Sequence, residues 1–327
     1  MQGQPLKLNG LKMQFLDFND PLVVIVGPTA VGKTAFAVKV AKRLDGEVVS
    51  ADSRLFYRGM DIGTAKPPLE DLAGVPHHLI DVAEPDEPWS LVLFQEQAQK
   101  VIASIHAQGK LPFLVGGTGQ YIKAVIEGWQ APLQQPDFEM RQILETWGSE
   151  IGPHELHDRL GIIDPEAAKH IEPGNLRRTV RALEVIFKTG SRFSEQRMKS
   201  KSPYSICLIG LKRPRAELYM RIDSRIDQMV AAGLMDEVKK LLVKGFSPNL
   251  STLSAIGYRE MIAVINGTMS MDGAIMQMKR LTRQFVRRQS NWFKESDPNI
   301  HWLDANQPTD AAVKLIQSSA GWIKKME

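Results

Sequence analysis

One eight-residue segment has the composition of a phosphate-binding loop. Residues 27–34 read Gly27-Pro28-Thr29-Ala30-Val31-Gly32-Lys33-Thr34 and match G-x-x-x-x-G-K-[ST] at every defined position. The glycines let backbone N–H groups turn toward an anion, and the helix predicted to follow adds its positive N-terminus. Lys33 supplies a charge between phosphates, and the Thr34 hydroxyl is placed to ligate Mg²⁺. The segment predicts binding of a di- or triphosphate, as in ATP-binding proteins, without indicating which.

A second candidate is an acidic residue at the end of a strand pattern. Asp52 follows the buried-strand pattern "GEVVSA", where a carboxylate is costly unless it has a partner or a task. Three interpretations remain open on the residues alone. Asp52 is a Mg²⁺ ligand through water, a general base toward an acceptor, or the N-cap of a helix.

A third candidate is a glycine turn with a hydroxyl. The segment "LVGGTGQY" (114–121) is a strand pattern that ends beside Thr118, and it carries no acid of the kind an ATP hydrolase would use near Mg²⁺. This favours a site that binds a diphosphate and transfers something other than a phosphoryl group. His77 and His78 are neighbours in a strand pattern and must face opposite sides of a sheet, so we interpret both as structural.

The elements that must position these residues follow an alternating pattern. Short apolar runs predict buried parallel strands, with helical patterns between them, at 22–28, 46–52, 77–82, 110–117 and 205–211. The fold class is therefore α/β, a P-loop doubly wound parallel sheet with a helical insertion domain. Ligands of such sheets bind at the carboxyl ends of the strands, where Gly27, Asp52 and the Gly116-Gly117 turn fall. A long helical stretch and two further helices are expected after the last strand.

Two proline-bearing breaks divide the chain. They indicate a helical insertion at 130–203 within a discontinuous core of 21–129 and 204–327. We interpret residues 1–20 as a loosely ordered leader, because they lack the apolar core of a signal peptide.

Composition limits the class of protein. The chain has 327 residues, of which 43% are hydrophobic and 24% charged, and it has no apolar run long enough for a membrane helix. Its one cysteine, Cys207, excludes an internal disulfide and fits a reducing cytoplasm. The formal charge of +4 is small, but residues 170–201 hold eight Lys/Arg against three acids, and residues 279–294 hold six against none. These two basic segments suggest docking of a polyanion.

Several motifs in one order resemble a single family, the tRNA dimethylallyltransferases (tRNA isopentenyltransferases) of bacterial type. The matching stretches extend over most of the chain, from about residue 22 to 294: "GPTAVGKT", "SADSRLFYRGMDIGTAKP", "PHHLID", "GGTGQY", "RRTVRALEV", "LYMRIDSRIDQMVAAGLMDEV", "AIGYRE" and "TRQFVRRQSNWF". The phosphate loop alone is shared by many unrelated enzymes, whereas the second, fourth and last stretches are specific. Gln120 stands where a leucine is common, and Arg54-Leu55 replaces a frequent Met-Gln, which leaves details of the adenine pocket in doubt.

The resemblance implies a reaction. A dimethylallyl group would pass from its diphosphate to N6 of adenosine 37, next to the anticodon of tRNAs that read codons starting with U, giving N6-(dimethylallyl)adenosine. Lys33, Mg²⁺ at Thr34 and an arginine would stabilise the departing diphosphate. The resemblance assigns Asp52 as the base, places Thr118 by the reaction channel and places Arg225 on the diphosphate, with Arg221 as its alternative. A cytoplasmic monomer is expected.

The resemblance also implies tRNA contacts, and with them that the helical insertion at 130–203 is a tRNA-binding domain. They fall on Asp52, Ser53, Arg54, Leu55, Arg141, Arg177, Arg178, Thr179, Val180, Arg181, Ser254, Ala255, Ile256, Gly257, Tyr258, Arg259, Arg280, Arg283 and Arg287. Helix geometry supports the last three. At 100° per residue they share a face with Lys294, opposite an apolar face of Met278, Leu281, Phe285 and Trp292. Because that basic face has no acid of its own, phosphate contact is favoured over an ordinary solvated face.

Two other classes of protein remain as alternatives. A P-loop kinase would use the same loop for ATP, and the insertion would then be its arginine-rich lid. A non-catalytic RNA-binding module would retain the loop as a relic. Binding of ATP without prenyl transfer would favour the first of these.

Overall fold

The computed structural model describes residues 6–8, 11–15, 20–87, 89–130, 137–195, 198–199, 202–319 and 323–325. The chain forms two compact units, one of residues 1–126 with 202–327 and one of residues 127–201. The boundaries of the helical insertion predicted from the sequence are 130 and 203.

The strands are named in chain order. They are β1 Leu6–Leu8, β2 Leu11–Phe15, β3 Pro21–Val26, β4 Gly46–Ser50, β5 His77–His78, β6 Leu111–Val115, β7 Trp129–Gln130, β8 Met198–Lys199, β9 Ser205–Lys212, β10 His301–Asp304 and β11 Ile323–Lys325.

The helices follow the same rule. They are α1 Lys33–Arg43, α2 Leu91–Ala107, α3 Gly119–Ile126, α4 Phe138–Ile151, α5 Pro153–Ile163, α6 Pro165–Lys169, α7 Leu176–Thr189, α8 Arg215–Ala231, α9 Leu234–Val243, α10 Tyr258–Ile265, α11 Met271–Gln289 and α12 Asp310–Ser318. A single 3₁₀ turn lies at Leu69–Leu72.

A six-stranded sheet, parallel throughout, forms the first unit's core. Its order is β10-β9-β3-β6-β4-β5. Strand β3 lies near the middle because it is an unbroken apolar run, and Leu22 to Val26 are fully buried. Helix α1 buries Phe36, Ala37, Val40 and Ala41, at the spacing of one helix face. The prediction of an α/β fold with a parallel sheet is confirmed.

Four sequence predictions about elements need correction. The sheet has a sixth strand, β10, which was missed because it is a short edge strand with polar ends. The long helical stretch is two helices, α8 and α9, separated at Gly233, whose φ is +97°. Three helices follow it rather than two, since α12 comes after β10. The leader contains β1 and β2, and β2 pairs with both β1 and β11 in an antiparallel sheet. The alternation of apolar with polar residues in β1 and β2 is a strand pattern.

The second unit is helical. Helices α4, α5, α6 and α7 surround a small core in which Leu144, Leu156, Leu160 and Leu183 are nearly or fully buried. Strands β7 and β8 form an antiparallel pair, which the sequence analysis did not predict. Residues 131–136, 196–197 and 200–201, which include parts of the two proline-bearing breaks, lie outside the described residues. Across the part of the chain that is described, no helix is both long enough and apolar enough to span a membrane.

Candidate active site

The phosphate-binding loop joins β3 to α1, as its sequence predicted. Gly32 caps the helix with φ +104°, a backbone conformation that side chains other than glycine rarely adopt. Nζ of Lys33 donates to the carbonyl oxygens of Gly27 and Pro28, both at 3.0 Å. The lysine therefore lies folded over the loop, and its amine faces the space that the loop encloses. Ala30 and Val31 are buried, so their side chains are not available to a ligand.

Two arginines from distant parts of the chain hold the loop from outside. Nε of Arg221 donates to the Ala30 carbonyl at 2.8 Å, and Nε of Arg213 donates to the Val31 carbonyl at 2.7 Å. Both guanidinium groups lie near Gly32, at 3.7 Å for Arg213 and 4.0 Å for Arg221 from the position of an added Cβ. Positive charge therefore gathers where α1 begins. The sequence analysis did not include Arg213, and its separation of 182 residues from Val31 gave no local signal.

The charges inside the site perturb one another. Burial lowers the pKa of Lys33 to about 8, Asp52 partly offsets this change, and Arg225 adds to it. Burial also lowers the pKa of Arg225, as does Arg221, whereas Asp52 raises it. The positive charges of Lys33 and Arg225 thus lie close to each other, and the negative charge of Asp52 offsets only one of them. Such an excess of buried positive charge is typical of a site that receives an anion.

A cavity of about 50 Å³ connects the loop to Asp52. One part of its wall is polar and the other is apolar. The polar residues are Lys33, Thr34, Ser50, Asp52 and His77, and the apolar ones are Val48, Leu55, Pro67, Ile80 and Val115, with Gly116 completing the lining. Val48, Ser50 and Asp52 share this wall because alternate residues of an extended segment face the same side.

Asp52 lies in a turn and does not cap a helix. No helix begins after it, so the N-cap interpretation is wrong, and Oδ1 instead accepts from the Arg54 N–H at 3.0 Å. Phe56, fully buried, anchors this segment by stacking with Tyr121 at a centroid distance of 5.9 Å. The carboxylate is thereby fixed at the cavity wall, with Oδ2 left without a hydrogen bond from any described residue.

Thr118 is joined to the Asp52 segment. Its Oγ1 accepts from the Ser53 N–H at 3.1 Å and donates to Ser53 Oγ at 3.3 Å, and its own N–H donates to the Ala51 carbonyl at 3.3 Å. Because both roles of the hydroxyl are used on Ser53, Thr118 fixes the position of the residue next to Asp52. The strand ends of β4 and β6 therefore meet, as the sequence predicted.

The two histidines have different surroundings. Nε2 of His78 lies 2.7 Å from Glu47 Oε2, away from the cavity, in agreement with a structural role. His77 lines the cavity, which the interpretation of this residue as structural did not anticipate. Its Nδ1 lies 2.8 Å from the Val75 carbonyl, and its buried Nε2 has no partner in the described residues. Burial lowers the pKa of His77, which favours the neutral ring.

The predicted tRNA residues of the first unit fall into two groups. Ser254, Arg259 and Arg54 are exposed and available to a ligand, whereas Leu55 lines the cavity. Ala255, Gly257 and Tyr258, which are also predicted to contact tRNA, are buried. The Tyr258 hydroxyl donates to Glu237 at 2.7 Å. Glu237 also accepts from the N–H groups of Asp61, Ile62 and Gly63, so this part of the motif supports the loop after the Asp52 segment.

Helix α11 carries a basic face that is only partly free. Arg280 and Arg287 are exposed. Arg283 is ion-paired with Asp223 of α8, and its Cζ lies 5.3 Å from the Tyr219 ring centroid. The expectation of a face without acidic partners is therefore wrong for Arg283, because the acid comes from the neighbouring helix. Phe285, expected on the apolar face, is 38% exposed, and Val286 is buried instead.

The second unit buries part of its predicted contact segment. Arg177 and Arg178 are exposed at the start of α7, whereas Thr179 and Val180, which are also predicted to contact tRNA, are buried. Arg141 and Arg181 each donate to the fully buried Glu184 at 2.8 Å. These two arginines therefore have a structural partner, and about 30% of each side chain remains exposed.

The cavity has oxygen ligands of the kind that Mg²⁺ prefers. The Thr34 hydroxyl and the Asp52 carboxylate both line it. Within the described residues, no group of three or more His, Cys, Asp or Glu side chains is placed to hold a metal. The donor set fits an ion that takes its remaining ligands from a substrate diphosphate and water.

Family models match most of the chain. A model described as IPP transferase matches residues 55–296, and one described as isopentenyl transferase matches residues 21–84. A tRNA dimethylallyltransferase of Roseiflexus sp. (strain RS-1) is 50% identical over 305 residues, which cover 93% of this chain and 99% of that protein.

Solved structures show the same likeness. The full-length tRNA isopentenylpyrophosphate transferase of Bacillus halodurans has a TM-score of 0.68 and 45% identity, over 92% of this chain and 96% of that one. A eukaryotic dimethylallyltransferase described as acting on tRNA has a TM-score of 0.73 and 28% identity, over 92% of this chain and 77% of its own.

Proposed function

Because the chain belongs to the IPP transferase family, we propose that its cavity transfers a dimethylallyl group from dimethylallyl diphosphate to N6 of adenosine 37 in tRNA. The chain is an enzyme of tRNA modification, and diphosphate is the second product. The following paragraphs derive what each residue contributes to this reaction.

One observation carries the proposal, namely the two-part wall of a single cavity. Lys33 and Thr34 lie at its anion-binding part, Asp52 lies on the same wall, and Leu55, Ile80 and Val115 supply apolar surface. A donor with a diphosphate head and a five-carbon apolar tail matches this division.

The first half of the reaction is departure of the diphosphate. The bond between the allylic carbon and the diphosphate oxygen breaks, and its electron pair goes to the oxygen. Negative charge then grows on the leaving group at the place where Lys33 and Arg225 hold an excess of buried positive charge. Charges fixed in advance stabilise such a transition state because they need no reorganisation. We assign Arg225 to the diphosphate, as the family resemblance does, because Arg221 already donates to the Ala30 carbonyl and supports the loop.

The second half is attack by the adenine amine. N6 forms a bond to the allylic carbon and loses one proton, which Asp52 accepts. Oδ1 of Asp52 is already bonded to the Arg54 N–H, so Oδ2 is the oxygen that faces the amine. General-base assistance of this kind is worth roughly 10²–10⁴-fold in rate. Thr118 acts as a positioning residue here, through its two hydrogen bonds with Ser53.

Mg²⁺ is part of this proposal. Thr34 would hold the ion beside the phosphates, where a bound Mg²⁺ supplies charge that stabilises the leaving group. We also propose that the enzyme works in the cytoplasm as a monomer, which light scattering of the purified protein tests.

Access of the adenine requires that the base leave the anticodon-loop stack. Exposed basic residues of each unit are placed to bind the RNA backbone during this step. In the first unit these residues are Arg54, Arg259, Arg280 and Arg287, and in the second they are Arg177 and Arg178. Their charge provides affinity that falls as salt is added.

The decisive experiment is nucleoside analysis by mass spectrometry. An anticodon stem-loop RNA is incubated with the protein, Mg²⁺ and dimethylallyl diphosphate, then digested. We expect one adenosine per RNA to gain the mass of a dimethylallyl group in place of hydrogen. Omission of the donor and an RNA with guanosine at the target position are the controls. A parallel incubation with labelled ATP tests the kinase alternative, and phosphoryl transfer without prenyl transfer would contradict the proposal.

A further inference from the structure

One side-chain amide joins two loops of the site that belong to different strands. Oε1 of Gln289, the last residue of α11, accepts from the Thr29 N–H of the phosphate-binding loop at 2.8 Å. Its Nε2 donates to the Gly117 carbonyl, in the turn after β6, at 3.0 Å. The residues are 260 and 172 positions apart in sequence, so only the tertiary structure brings them together.

The end of α11 is fitted closely to this turn. A Cβ added at Gly117 would lie 2.5 Å from Nε2 of Gln289, and one added at Gly119 would overlap the side chain of Trp292. Both glycines are therefore needed for the approach of these two side chains. This fit is an observation separate from the two hydrogen bonds, and it shows that Gln289 has little freedom to move.

We propose that Gln289 is a positioning residue for the transfer reaction. It fixes the position of the loop that binds the leaving group relative to the turn that carries Thr118. Thr118 in turn holds Ser53, next to Asp52. Gln289 thus contacts the diphosphate cradle directly at Thr29, and it is linked to the general base indirectly, through the turn that carries Thr118 and through Ser53. The inference rests on the proposed function for the identity of the reaction.

The chemistry of the side chain explains why glutamine fits this place. A primary amide offers an acceptor and a donor from one plane, which matches one backbone N–H and one carbonyl. Glutamate would retain the acceptor, lose the donor and bring a negative charge to a site for an anion. Leucine would fill similar space and leave both backbone groups without their partner.

The test compares Gln289→Leu and Gln289→Glu with the wild type, and Gln284→Leu serves as a matched control. Gln284 lies on the same helix and is exposed. Single-turnover prenyl transfer, pyrophosphate binding and tRNA binding are measured for each protein, with the thermal midpoint as a check on folding. We expect Gln289→Leu to lower the single-turnover rate about 10- to 100-fold, because small misplacements of reacting groups have effects of this size. tRNA affinity should stay within about twofold, since loss of positioning removes no phosphate contact.

Gln289→Glu separates positioning from simple packing. We expect it to weaken pyrophosphate binding more than Gln289→Leu does, while the control retains wild-type values. A wild-type rate in folded Gln289→Leu would overturn the proposal. Tighter pyrophosphate binding in that variant would also overturn it, because the glutamine would then be blocking the Thr29 N–H. If the wild type transferred no prenyl group, the proposed function would fail, whereas pyrophosphate binding would still test the role of Gln289 in holding the loop.

Discussion

The pH dependence of diphosphate binding follows from the state of Lys33. Burial lowers its pKa to about 8 in the ligand-free protein. Roughly nine-tenths of the molecules then carry a charged Lys33 at pH 7, and about one-tenth do so at pH 9. A bound diphosphate favours the charged amine, so binding above pH 8 requires uptake of a proton. We expect the contribution of Lys33 to affinity to fall about tenfold between these two pH values.

Isothermal titration calorimetry with pyrophosphate measures this effect. The ligand titrates over the same range, so the quantity to compare is the ratio of wild-type affinity to that of Lys33→Met at each pH. The variant removes the titrating group and retains most of the side chain's volume. At pH 7 the ratio should be about 10- to 150-fold, the value of one hydrogen bond between charged groups at roughly 1.5–3 kcal/mol. At pH 9 it should approach one-tenth of that.

Stability should move in the opposite direction to affinity. Because the pKa of Lys33 is lower in the folded protein than in the unfolded chain, the unfolded chain binds more protons between about pH 8 and the ordinary value of 10.5. The contribution of Lys33 to the free energy of unfolding therefore rises with pH over that window, by about 3 kcal/mol in total. Comparing urea unfolding of the wild type and of Lys33→Met at each pH isolates this contribution of Lys33 to the free energy of unfolding. An affinity ratio that stays constant from pH 7 to pH 9 would refute the reasoning.

Three further predictions concern the base, the basic face of α11 and the core of the second unit. Asp52→Asn should lower the single-turnover rate about 10²–10⁴-fold with tRNA affinity unchanged, and a wild-type rate would remove it as the base. Arg280→Ala combined with Arg287→Ala should make the dependence of log affinity for tRNA on log salt shallower by about 1–2 units, and an unchanged slope would show that this face does not bind phosphate. Glu184→Gln should destabilise the protein by about 1.5–3 kcal/mol at pH 7, since it removes the buried negative charge that accepts hydrogen bonds from two partly exposed arginines. Thermal or urea unfolding checks it, and a change below 1 kcal/mol would contradict it.

Residues that are close together in the sequence were enough to predict the phosphate-binding loop and the parallel sheet. A phosphate-binding loop depends on glycines, a lysine and a hydroxyl at fixed spacing between a strand and a helix, and all of them are adjacent in the chain. Buried parallel strands are short apolar runs, and their carboxyl ends meet by topology. The proximity of Asp52 to Lys33 could thus be inferred before any coordinates were known.

Edge elements gave weaker signals. Strand β10 has polar residues at both ends, and its pairing with β9 depends on a partner about 90 positions earlier. Strands β1 and β2 do show alternation of apolar with polar residues, but they are only three and five residues long, which makes the pattern weak. These elements depend on pairing more than on intrinsic pattern.

The state of each charged residue was decided only by the tertiary structure. The basic run of α11 has no acid in its own sequence, yet Asp223 reaches Arg283 from α8. Glu184, one acid among many bases, is fully buried and binds Arg141 and Arg181. Spacing along a helix predicts which residues share a face, whereas electrostatic interactions depend on distance in space and on the elements that happen to pack alongside.

The same reason explains Gln289. A glutamine at the end of a basic helix gives no indication in the sequence that it joins two loops. Both of its partners are backbone groups, which do not depend on residue type. The sequence by itself determined the phosphate loop, the parallel core and the position of the acid. The tertiary structure decided which cations are paired, which histidine faces the cavity and what holds the loops together, since those properties arise from contacts between residues that are remote in the chain.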